Sequence, residues 1–562
     1  FNIRANYSRF SIGRSYDLDQ FGGAANLLPG TPGSLNFDLN ARGAALLIGS
    51  NAANVQRQFN LVGATDIVSG NHTYRFGADY RRLWPIIGMR TLEESVLFDG
   101  VDQAITGNAA RVGVFRRAPA QKPVYTNFSL YAQDEWRKSQ RLTLTYGVRW
   151  ELNPPPSIDG ISPIAVDQVN DPSQLKAVAP GASLWDTTFL NFAPRFGFAY
   201  RLIGRNDPKL IVRGGVGVHY DLGHERTGDV FADSAPFVSG RPIVPATVFD
   251  PHLKLPYTLN WHVSLEQSLG NSQWISAAYV GAAGRRLLHT QTLFDQNPAF
   301  PFLRLTTNAG RSDYRALQVQ FNRNLSRGLM SSVSYTWAKS LDNVSEDSAR
   351  AVSMTSDNPA FDRGPSDFDV RHQLAGLVSY ELPAAFKSGL GHKLSRNWAV
   401  DSIFNARSAR PVNVVYMFPT PFGVAYLRPD AVAGQPLSLL NPAAFEEPAV
   451  LEQGNLGRNS LRGFPLYQID LALRRRFNFS ETLSIQLQVD AFNLFNHANF
   501  EDPFGRDRVL GGVFGNTFIP NTTFGQSASL LGQGLSGSGS TFGSFYNTGG
   551  PRALRFSLKL RF

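Results

Sequence analysis

Cysteine is absent from the 562-residue chain. This absence excludes disulfide scaffolds, thiolate zinc sites and thiol nucleophiles, and it suits an envelope compartment in which unpaired thiols are oxidised. Long apolar runs are also missing, because no window approaches the roughly 18 uncharged residues that a membrane-spanning helix requires. The mean hydropathy of -0.19 argues against a helical membrane protein but not against a barrel, whose wall shows lipid only at every second residue.

Recognisable catalytic and metal-binding spacings are lacking as well. The 9 histidines are scattered, and no zinc-protease, serine-hydrolase or phosphate-loop motif occurs. The glycine-rich run at 213–218 lies inside an alternating strand, where glycine relieves crowding between neighbouring strands. We therefore expect no enzyme activity, with no catalytic residue, no metal site and no cofactor.

The charge balance is basic, with a formal net charge of +10 and a pI near 9.7. Lysine and arginine are spread along the chain instead of forming one stripe, which is not the pattern of a nucleic-acid-binding surface. We expect no nucleic-acid partner. The basic residues instead face a lumen or meet the phosphates of outer-membrane lipid and lipopolysaccharide at the rim.

The composition favours an all-β chain, since 43% of residues are hydrophobic, 12% are aromatic, and there are 51 glycines and 34 prolines. The clearest strand spans residues 141–152, and residues 257–269 repeat its pattern of apolar and polar alternation. Segments of about 10 residues are long enough for a tilted membrane crossing. The alternation makes four polar residues candidates for the lumen face: Arg149, Glu151, His262 and Glu266.

Connection lengths alternate along the chain, and short turns near 69–71, 138–140, 204–208, 270–272, 326–328, 383–395 and 478–482 separate longer segments. The long segments fall at about 11–55, 85–123, 153–189, 222–256, 286–312, 342–365, 410–464 and 496–550. This rhythm predicts a transmembrane antiparallel β-barrel with about 16 strands, short periplasmic turns and long extracellular loops. Both ends of the chain then lie on the periplasmic side.

One predicted loop is acidic. The segment 341–369 contains Asp342, Glu346, Asp347, Asp357, Asp362, Asp367 and Asp369. Such a cluster could hold calcium, but it lacks the spacing of an EF-hand. A solvated acidic loop is the favoured interpretation, and calcium binding stays open.

The last strand alternates up to its final residue. Leu554, Phe556, Leu558, Leu560 and Phe562 alternate with Arg555, Ser557, Lys559 and Arg561. This ending resembles the signal that the barrel-assembly machinery reads on outer-membrane proteins. An ordinary final strand is the alternative. We expect the five apolar residues to form the assembly signal.

Several segments carry a family resemblance. NFSLYAQDEW at 127–136, the strand at 142–151 and DAFNLFN at 490–496 resemble strands of TonB-dependent outer-membrane transporters. APRFGFAY at 193–200, SYTWAKS at 334–340 and FDVRH at 368–372 are similar to the Oar-like group. The segments cover most of the chain and occur in the expected order.

This resemblance implies a transporter in the bacterial outer membrane that moves a large solute, driven by the inner-membrane TonB, ExbB and ExbD complex. Family members form 22-stranded barrels closed by an N-terminal plug. The chain begins Phe1-Asn2-Ile3-Arg4 in strand-like alternation, without an initiator Met or a signal peptide. We interpret it as a fragment or a processed product, N-terminally truncated, which lacks the plug, about six strands and the small carboxypeptidase-regulatory-like domain that precedes the plug in Oar-like proteins.

Three alternatives remain open. A passive 16-stranded porin needs no energy coupling, although its loops are expected to be shorter. An outer-membrane enzyme lacks a recognisable catalytic constellation in this sequence. An adhesin or a soluble β-sandwich is the remaining alternative. The ligand, the direction of transport and the oligomeric state do not follow from the sequence.

Overall fold

A computed structural model describes most of the chain: residues 1–16, 34–39, 44–87, 93–98, 101–108, 111–115, 122–159, 165–178, 182–203, 209–221, 246–294, 297–298, 302–345, 359–420, 423–438, 441–449, 452–480, 482–502, 509–510, 525–527, 530–532 and 548–562. Strands dominate these residues. No helix among them is long and apolar enough to cross a membrane.

Sixteen strands follow one another as neighbours and form the wall of the molecule. They are β1 (Asn2–Tyr16), β2 (Ala44–Ser69), β3 (His72–Leu83), β4 (Lys122–Trp136), β5 (Leu142–Leu152), β6 (Phe192–Ile203), β7 (Lys209–Tyr220), β8 (Tyr257–Ser268), β9 (Gln273–Phe294), β10 (Phe302–Ser326), β11 (Leu329–Asp342), β12 (His372–Glu381), β13 (Trp398–Arg407), β14 (Leu466–Asn478), β15 (Ser484–Phe492) and β16 (Ala553–Arg561). Each pairs antiparallel with the next. The prediction of about 16 antiparallel strands is confirmed.

The register places polar residues of neighbouring strands on one face of the sheet and apolar residues on the other. Gly147 of β5 lies opposite Gln133 of β4 and Arg195 of β6. Arg149 lies opposite Tyr131 of β4. Because side chains alternate along each strand, the wall has a polar face and an apolar face throughout. Among the described residues, β1 and β16 each pair with a single wall neighbour, so the sheet is open between them.

The connections alternate as the sequence predicts, and they define two rims. The short-turn rim carries the connections 70–71, 137–141, 204–208, 269–272, 327–328, 382–397 and 479–483. The long-connection rim carries 17–43, 84–121, 153–191, 221–256, 295–301, 343–371, 408–465 and 493–552. Two expected loops differ: β1 and β2 are paired at 11–16 and 49–55, inside the predicted loop 11–55, and β9 and β10 continue as a paired hairpin through most of 286–312. With 22 and 25 residues, these two strands extend well beyond a crossing of about 10 residues.

Shorter helices and strands lie in the connections between the wall strands. Helices α1 (Val101–Thr106) and α2 (Gly389–Ser395) are accompanied by 3-10 turns at Pro172–Gln174 and Pro442–Ala444. The remaining strands are Ser34–Leu39, Glu93–Phe98, Arg111–Phe115, Ser157–Asp159, Val166–Asp167, Lys176–Ala177, Ala246–Phe249, Gly364–Pro365, Pro411–Val414, Tyr416–Thr420, Gly423–Leu427, Asp430–Ala431, Phe445–Glu446, Leu461–Arg462 and Val509–Leu510. All of these strands lie in the long connections.

The buried apolar clusters also lie at the long-connection rim. One cluster unites Val412, Val414, Ala444, Phe445, Leu456 and Leu461 within the connection 408–465. Two others are built from Tyr125, Leu184, Phe249, Leu253 and Leu288, and from Val166, Leu175, Val248, Leu293, Leu303 and Leu305. The wall itself displays its large apolar side chains outward, as Phe556 does with 75% exposure. The long connections therefore pack into a layer of their own, whereas the large apolar side chains on one face of the wall are not covered by the protein.

Candidate functional site

The polar face of β3, β4 and β5 carries a chain of ionic contacts. Arg149 donates from Nε to Glu151 at 2.9 Å and from Nη2 to Asp79 at 3.4 Å. Its guanidinium also lies 6.0 Å from the ring centroid of Tyr131. Arg149 and Glu151, both predicted from the alternation, are thus side by side on one face, and Asp79 joins them from β3.

A cavity of about 320 Å³ opens beside this group. Its polar lining consists of Arg75, Asp79, Tyr131, Gln133, Arg149 and Arg195. The ring of Tyr131 covers Gly77, where any Cβ would overlap it, so a glycine at this position makes room for the aromatic wall of the cavity. A volume of this size lies at the lower end of the range for small-molecule sites.

The three arginines of the cavity differ in their partners. Arg75 is held by both carboxylate oxygens of Asp66, at 2.6 and 3.0 Å. Arg149 is paired as described above. Arg195 lines the same cavity, and no carboxylate in the described part of the chain lies within salt-bridge distance of it. The cavity thus presents one guanidinium group whose charge the described carboxylates leave unpaired.

The other two predicted lumen residues lie elsewhere on the same face. His262 of β8 lies opposite Gly215 of β7, and Glu266 accepts a hydrogen bond of 2.7 Å from Nη1 of Arg213. Strands β6 and β7 separate β8 from β5, so the four predicted residues fall into two groups. The cavity residues Arg75, Asp79 and Arg195 were not singled out in the sequence, although the same alternation places them on this face.

A polar cluster on the apolar face was also missed. Asp134 accepts hydrogen bonds at 2.7 Å from the Tyr146 hydroxyl and from Nδ1 of His72. The ring of His72 stacks on Tyr74 and on Trp136, with centroids 5.5 and 5.3 Å apart. The cluster lies near the short-turn rim, where aromatic side chains mark a membrane interface.

Arginines from the connection 408–465 hold the acidic segment at the long-connection rim. Arg458 donates from Nη1 to Asp342 at 2.8 Å, and Nη2 of Arg462 donates to Asp369 at 2.7 Å. Asp342 and Asp369 are both at most 3% exposed, and so is Asp362, whose arginine partner is described below. The expectation of a solvated loop is therefore wrong for them, because their carboxylates serve as buried ion-pair partners. Glu346, Asp347 and Asp357 lie outside the described residues.

The third ion pair is the most deeply buried. Nη2 of Arg428 lies 3.1 Å from Oδ1 of Asp362, and Nε2 of His289 lies 4.0 Å from Oδ2 of the same aspartate. His289 belongs to the part of β9 that extends past the membrane-crossing length. Burial raises the pKa of Asp362 to about 6, although Arg428 and Arg458 oppose the rise. Burial and the charge of Arg458 lower the pKa of His289 to about 4.

These contacts use carboxylates that calcium could otherwise bind in the acidic segment 341–369. Within the described residues, no group of three or more histidine, aspartate or glutamate side chains is arranged to hold a metal ion. Asp367 donates its backbone N–H to Ser345 and accepts from the Asn459 amide at 2.7 Å. Four of the seven acidic residues thus have protein partners, and the segment links two long connections.

The final strand places the predicted assembly residues together. Leu554, Phe556, Leu558, Leu560 and Phe562 are each at least half exposed on the apolar face. Arg555 on the opposite face donates from Nε to Asp490 at 2.9 Å, which fixes β16 against β15. The role of the five residues in assembly stays a prediction.

Comparison with protein families covers nearly the whole sequence. Residues 1–246 and 242–555 match the family described as the outer membrane beta barrel domain. The chain belongs to this family. The barrel is accordingly an integral protein of the bacterial outer membrane, and the apolar face of its wall is the face that meets lipid.

Three solved structures are similar to this chain at low sequence identity. The outer membrane transporter YddB from Escherichia coli is 14% identical, with a TM-score of 0.50 over 88% of this chain and 57% of that chain. The copper transporter OprC is 11% identical, with a TM-score of 0.48 over 100% of this chain and 62% of its own. The ferripyoverdine receptor of Pseudomonas aeruginosa is 13% identical, with a TM-score of 0.46 over 100% of this chain and 54% of that chain.

The barrel chain thus spans between about half and three fifths of the length of these structures. A comparison with curated proteins found no significant match. At such low sequence identity, the likeness to solved structures concerns the fold alone.

Proposed function

We propose that this chain forms part of the wall of a TonB-dependent transporter of the Oar-like group, which moves a large solute across the outer membrane. The observation that carries the proposal is the cavity on the polar face, lined by Arg75, Tyr131, Arg149 and Arg195. Such a cavity inside a membrane barrel offers a solute polar contacts that the lipid-facing surface does not. Transport, not catalysis, is the function proposed.

The location of the proposed transporter in the outer membrane requires energy coupling. The outer membrane has no ATP and no sustained ion gradient, so moving a bound solute past a plug requires mechanical work from another membrane. The resemblance of the strand segments to TonB-dependent transporters assigns this work to the TonB, ExbB and ExbD complex. In this proposal the plug and the TonB-binding segment belong to parts of the whole protein outside the present sequence.

The charge of the cavity indicates a solute class. Arg195 adds a guanidinium group that lacks a carboxylate partner within the described part of the wall. Guanidinium groups bind carboxylate and phosphate in a planar, bidentate manner. We propose that the transported solute carries an anionic group, which passes this cavity on its way through the barrel.

The proposal is tested on the whole protein purified from outer membranes. We expect an immobilised periplasmic domain of TonB to retain it, and we expect planar bilayers containing it to show no steady conductance. A steady open channel together with no retention by TonB would instead identify a passive porin. That result would reject energy-coupled transport.

A second measurement tests the solute class. The whole protein with its proposed plug deleted, reconstituted in planar bilayers, is compared with its Arg195→Gln variant. We expect the variant to lose part of its preference for anions, seen as a shift of the reversal potential in a salt gradient. Arg201→Gln, on the same strand but outside the cavity, is the matched control. Equal shifts for both variants would contradict the assignment of the cavity.

A further inference from the structure

The connection between β12 and β13 differs from the tight turns beside it. It contains the helix α2 (Gly389–Ser395) at the short-turn rim. Other connections on this rim turn within a few residues, such as the one at Arg327 and Gly328, where both residues have positive φ. Since a short turn would reverse the chain here, joining β12 to β13 does not by itself account for the helix α2.

The wall holds α2 in place by its C-terminal end. Arg475 of β14 donates from Nη2 to the carbonyl of Lys393 at 2.7 Å. The indole Nε1 of Trp398 donates to the carbonyl of Leu394 at 2.9 Å. These carbonyls have no partner within the helix, and a cation beside them is favourable for the helix dipole. The helix is therefore fixed against the membrane wall instead of projecting from it.

The anchoring residues belong to the lipid-facing side of the barrel. The guanidinium of Arg475 lies 5.1 Å from the ring centroid of Trp398 and 4.4 Å from that of Phe477. All three side chains lie on the apolar face of β13 and β14, at its edge. Tryptophan and arginine at such an edge mark the level of lipid headgroups.

One side of α2 and the residues before it is apolar and uncovered. Phe386, Leu390 and Leu394 are spaced by four residues, and they are 58%, 72% and 56% exposed. Leu390 and Leu394 share one side of α2, and Phe386, which precedes the helix, packs beside Gly391. The patch continues the apolar face of the wall through Trp398, so the surface that meets lipid extends onto the helix.

Positive charge surrounds the same patch. The residues Lys387, His392, Lys393 and Arg396 are basic, and the segment 383–398 contains no acidic residue. A short helical segment that combines exposed leucine and phenylalanine with basic residues is typical of one lying in a membrane interface. The charge is complementary to anionic headgroups.

We propose that α2 is an interfacial anchor, which lies in the lipid leaflet at the short-turn rim and binds anionic phospholipid. Phe386, Leu390 and Leu394 enter the acyl boundary, and Lys387, Lys393 and Arg396 contact headgroup phosphates. Phospholipid is favoured over a protein partner because the patch is continuous with the lipid-facing wall. The anchor fixes the height of the barrel in the membrane at this point of its circumference.

The depth of α2 is measured with spin labels, for which the absence of cysteine makes single-cysteine variants straightforward. Leu390→Cys is labelled in the whole protein, reconstituted in vesicles of phosphatidylcholine with phosphatidylglycerol. Leu317→Cys on the apolar face and Ser139→Cys in a turn at the same rim provide lipid and water references. We expect the accessibility of the Leu390 label to oxygen and to a nickel chelate to match the lipid reference. A match with the water reference would overturn the proposal.

The headgroup contact is measured separately, by native mass spectrometry of retained phosphatidylglycerol. The triple variant Lys387→Gln, Lys393→Gln, Arg396→Gln is compared with Arg137→Gln, Lys138→Gln, Arg141→Gln, which removes three cations from another turn of the same rim. We expect the first variant to retain less phosphatidylglycerol than the second. Equal retention would overturn the assignment of headgroup binding to α2. Heat-modifiable gel mobility verifies that every variant is folded.

Discussion

Single residues in this barrel carry charge where the surroundings disfavour it. Asp134 lies on the apolar face among aromatic rings, and Asp362 lies in the packed rim. Each has specific partners: Tyr146 and His72 bind Asp134, and Arg428 pairs with Asp362. Neither set of partners is visible in the sequence, because the pairs join residues far apart in the chain without a recurring spacing.

The Asp134 cluster is expected to stabilise the aromatic edge of the wall. Asp134→Ala removes the acceptor of two hydrogen bonds and leaves the Tyr146 hydroxyl and the His72 ring without it. We expect the temperature at which the barrel loses its compact mobility on unboiled gels to fall by several degrees. Tyr146→Phe, which removes one hydrogen bond only, should lower it less. An unchanged transition for both variants would show that the cluster contributes nothing measurable.

Asp362 and His289 give the rim opposing responses to pH. The pKa of Asp362 rises from 3.8 to about 6 on folding, so its contribution to stability is full below pH 3.8 and is lost as the pH rises through 6. The pKa of His289 falls from 6.5 to about 4, so its contribution is full above pH 6.5 and is lost as the pH falls through 4. Each contribution is on the order of 3 kcal/mol.

Removing one of the two groups should therefore reveal the pH dependence of stability that the other group causes. We expect His289→Gln to make the rim less stable as the pH rises from 4 to 6, and Asp362→Asn to make it less stable as the pH falls over the same interval. Amide hydrogen exchange of the rim, corrected for intrinsic rates, measures both trends. The unsubstituted chain should change little in this interval. Parallel profiles for the two variants would refute the opposing signs.

At the scale of elements, the wall strands are the part that sequence reasoning predicts well. Each meets lipid on one face and polar groups on the other, so alternation in residues such as 142–152 survives in the sequence. The extensions of β9 and β10 beyond the membrane pack loops on both faces, which blurs the alternation and explains why 286–312 was expected to be a loop. Helix α2 left a weaker signal, the spacing of Leu390 and Leu394.

The last strand offers a prediction at this scale. Deleting Phe562 removes the most exposed of the five apolar residues at the end of the chain, at 91% exposure. We expect the fraction of newly made protein with heat-modifiable mobility in the membrane to fall. Phe562→Tyr, which keeps an aromatic ring at the position, should insert nearly normally. Equal insertion for the deletion and the unsubstituted chain would remove the assembly signal from consideration.

At the scale of the whole molecule, sequence reasoning predicts the class and the strand number but not the candidate site. The cavity forms because Arg75, Tyr131, Arg149 and Arg195 come from four consecutive wall strands. Alternation assigns a residue to a face, whereas register decides which residues meet across strands. Since register depends on turns and bulges, the grouping of these residues became evident only in the folded wall.

The number of strands in the closed barrel can be measured across the open edge. Ala5→Cys in β1 and Leu558→Cys in β16 are spin-labelled in the whole protein. Six further strands would place seven spacings of about 4.8 Å between the labelled strands, roughly 34 Å along the wall, and we expect a distance of that order. Leu487→Cys with Leu558→Cys, on directly paired strands, is the short-distance control. A distance matching this control would favour a 16-stranded porin.

The ion pairs between the segments 342–369 and 410–464 have a consequence for engineering. Arg458 and Arg462 supply the partners of Asp342 and Asp369, so neither segment is complete without the other. A chimera that receives one of the two from a related barrel would bury a charge without its counterpart, which is strongly destabilising. Exchange of these long connections with those of a related barrel should therefore move both segments together.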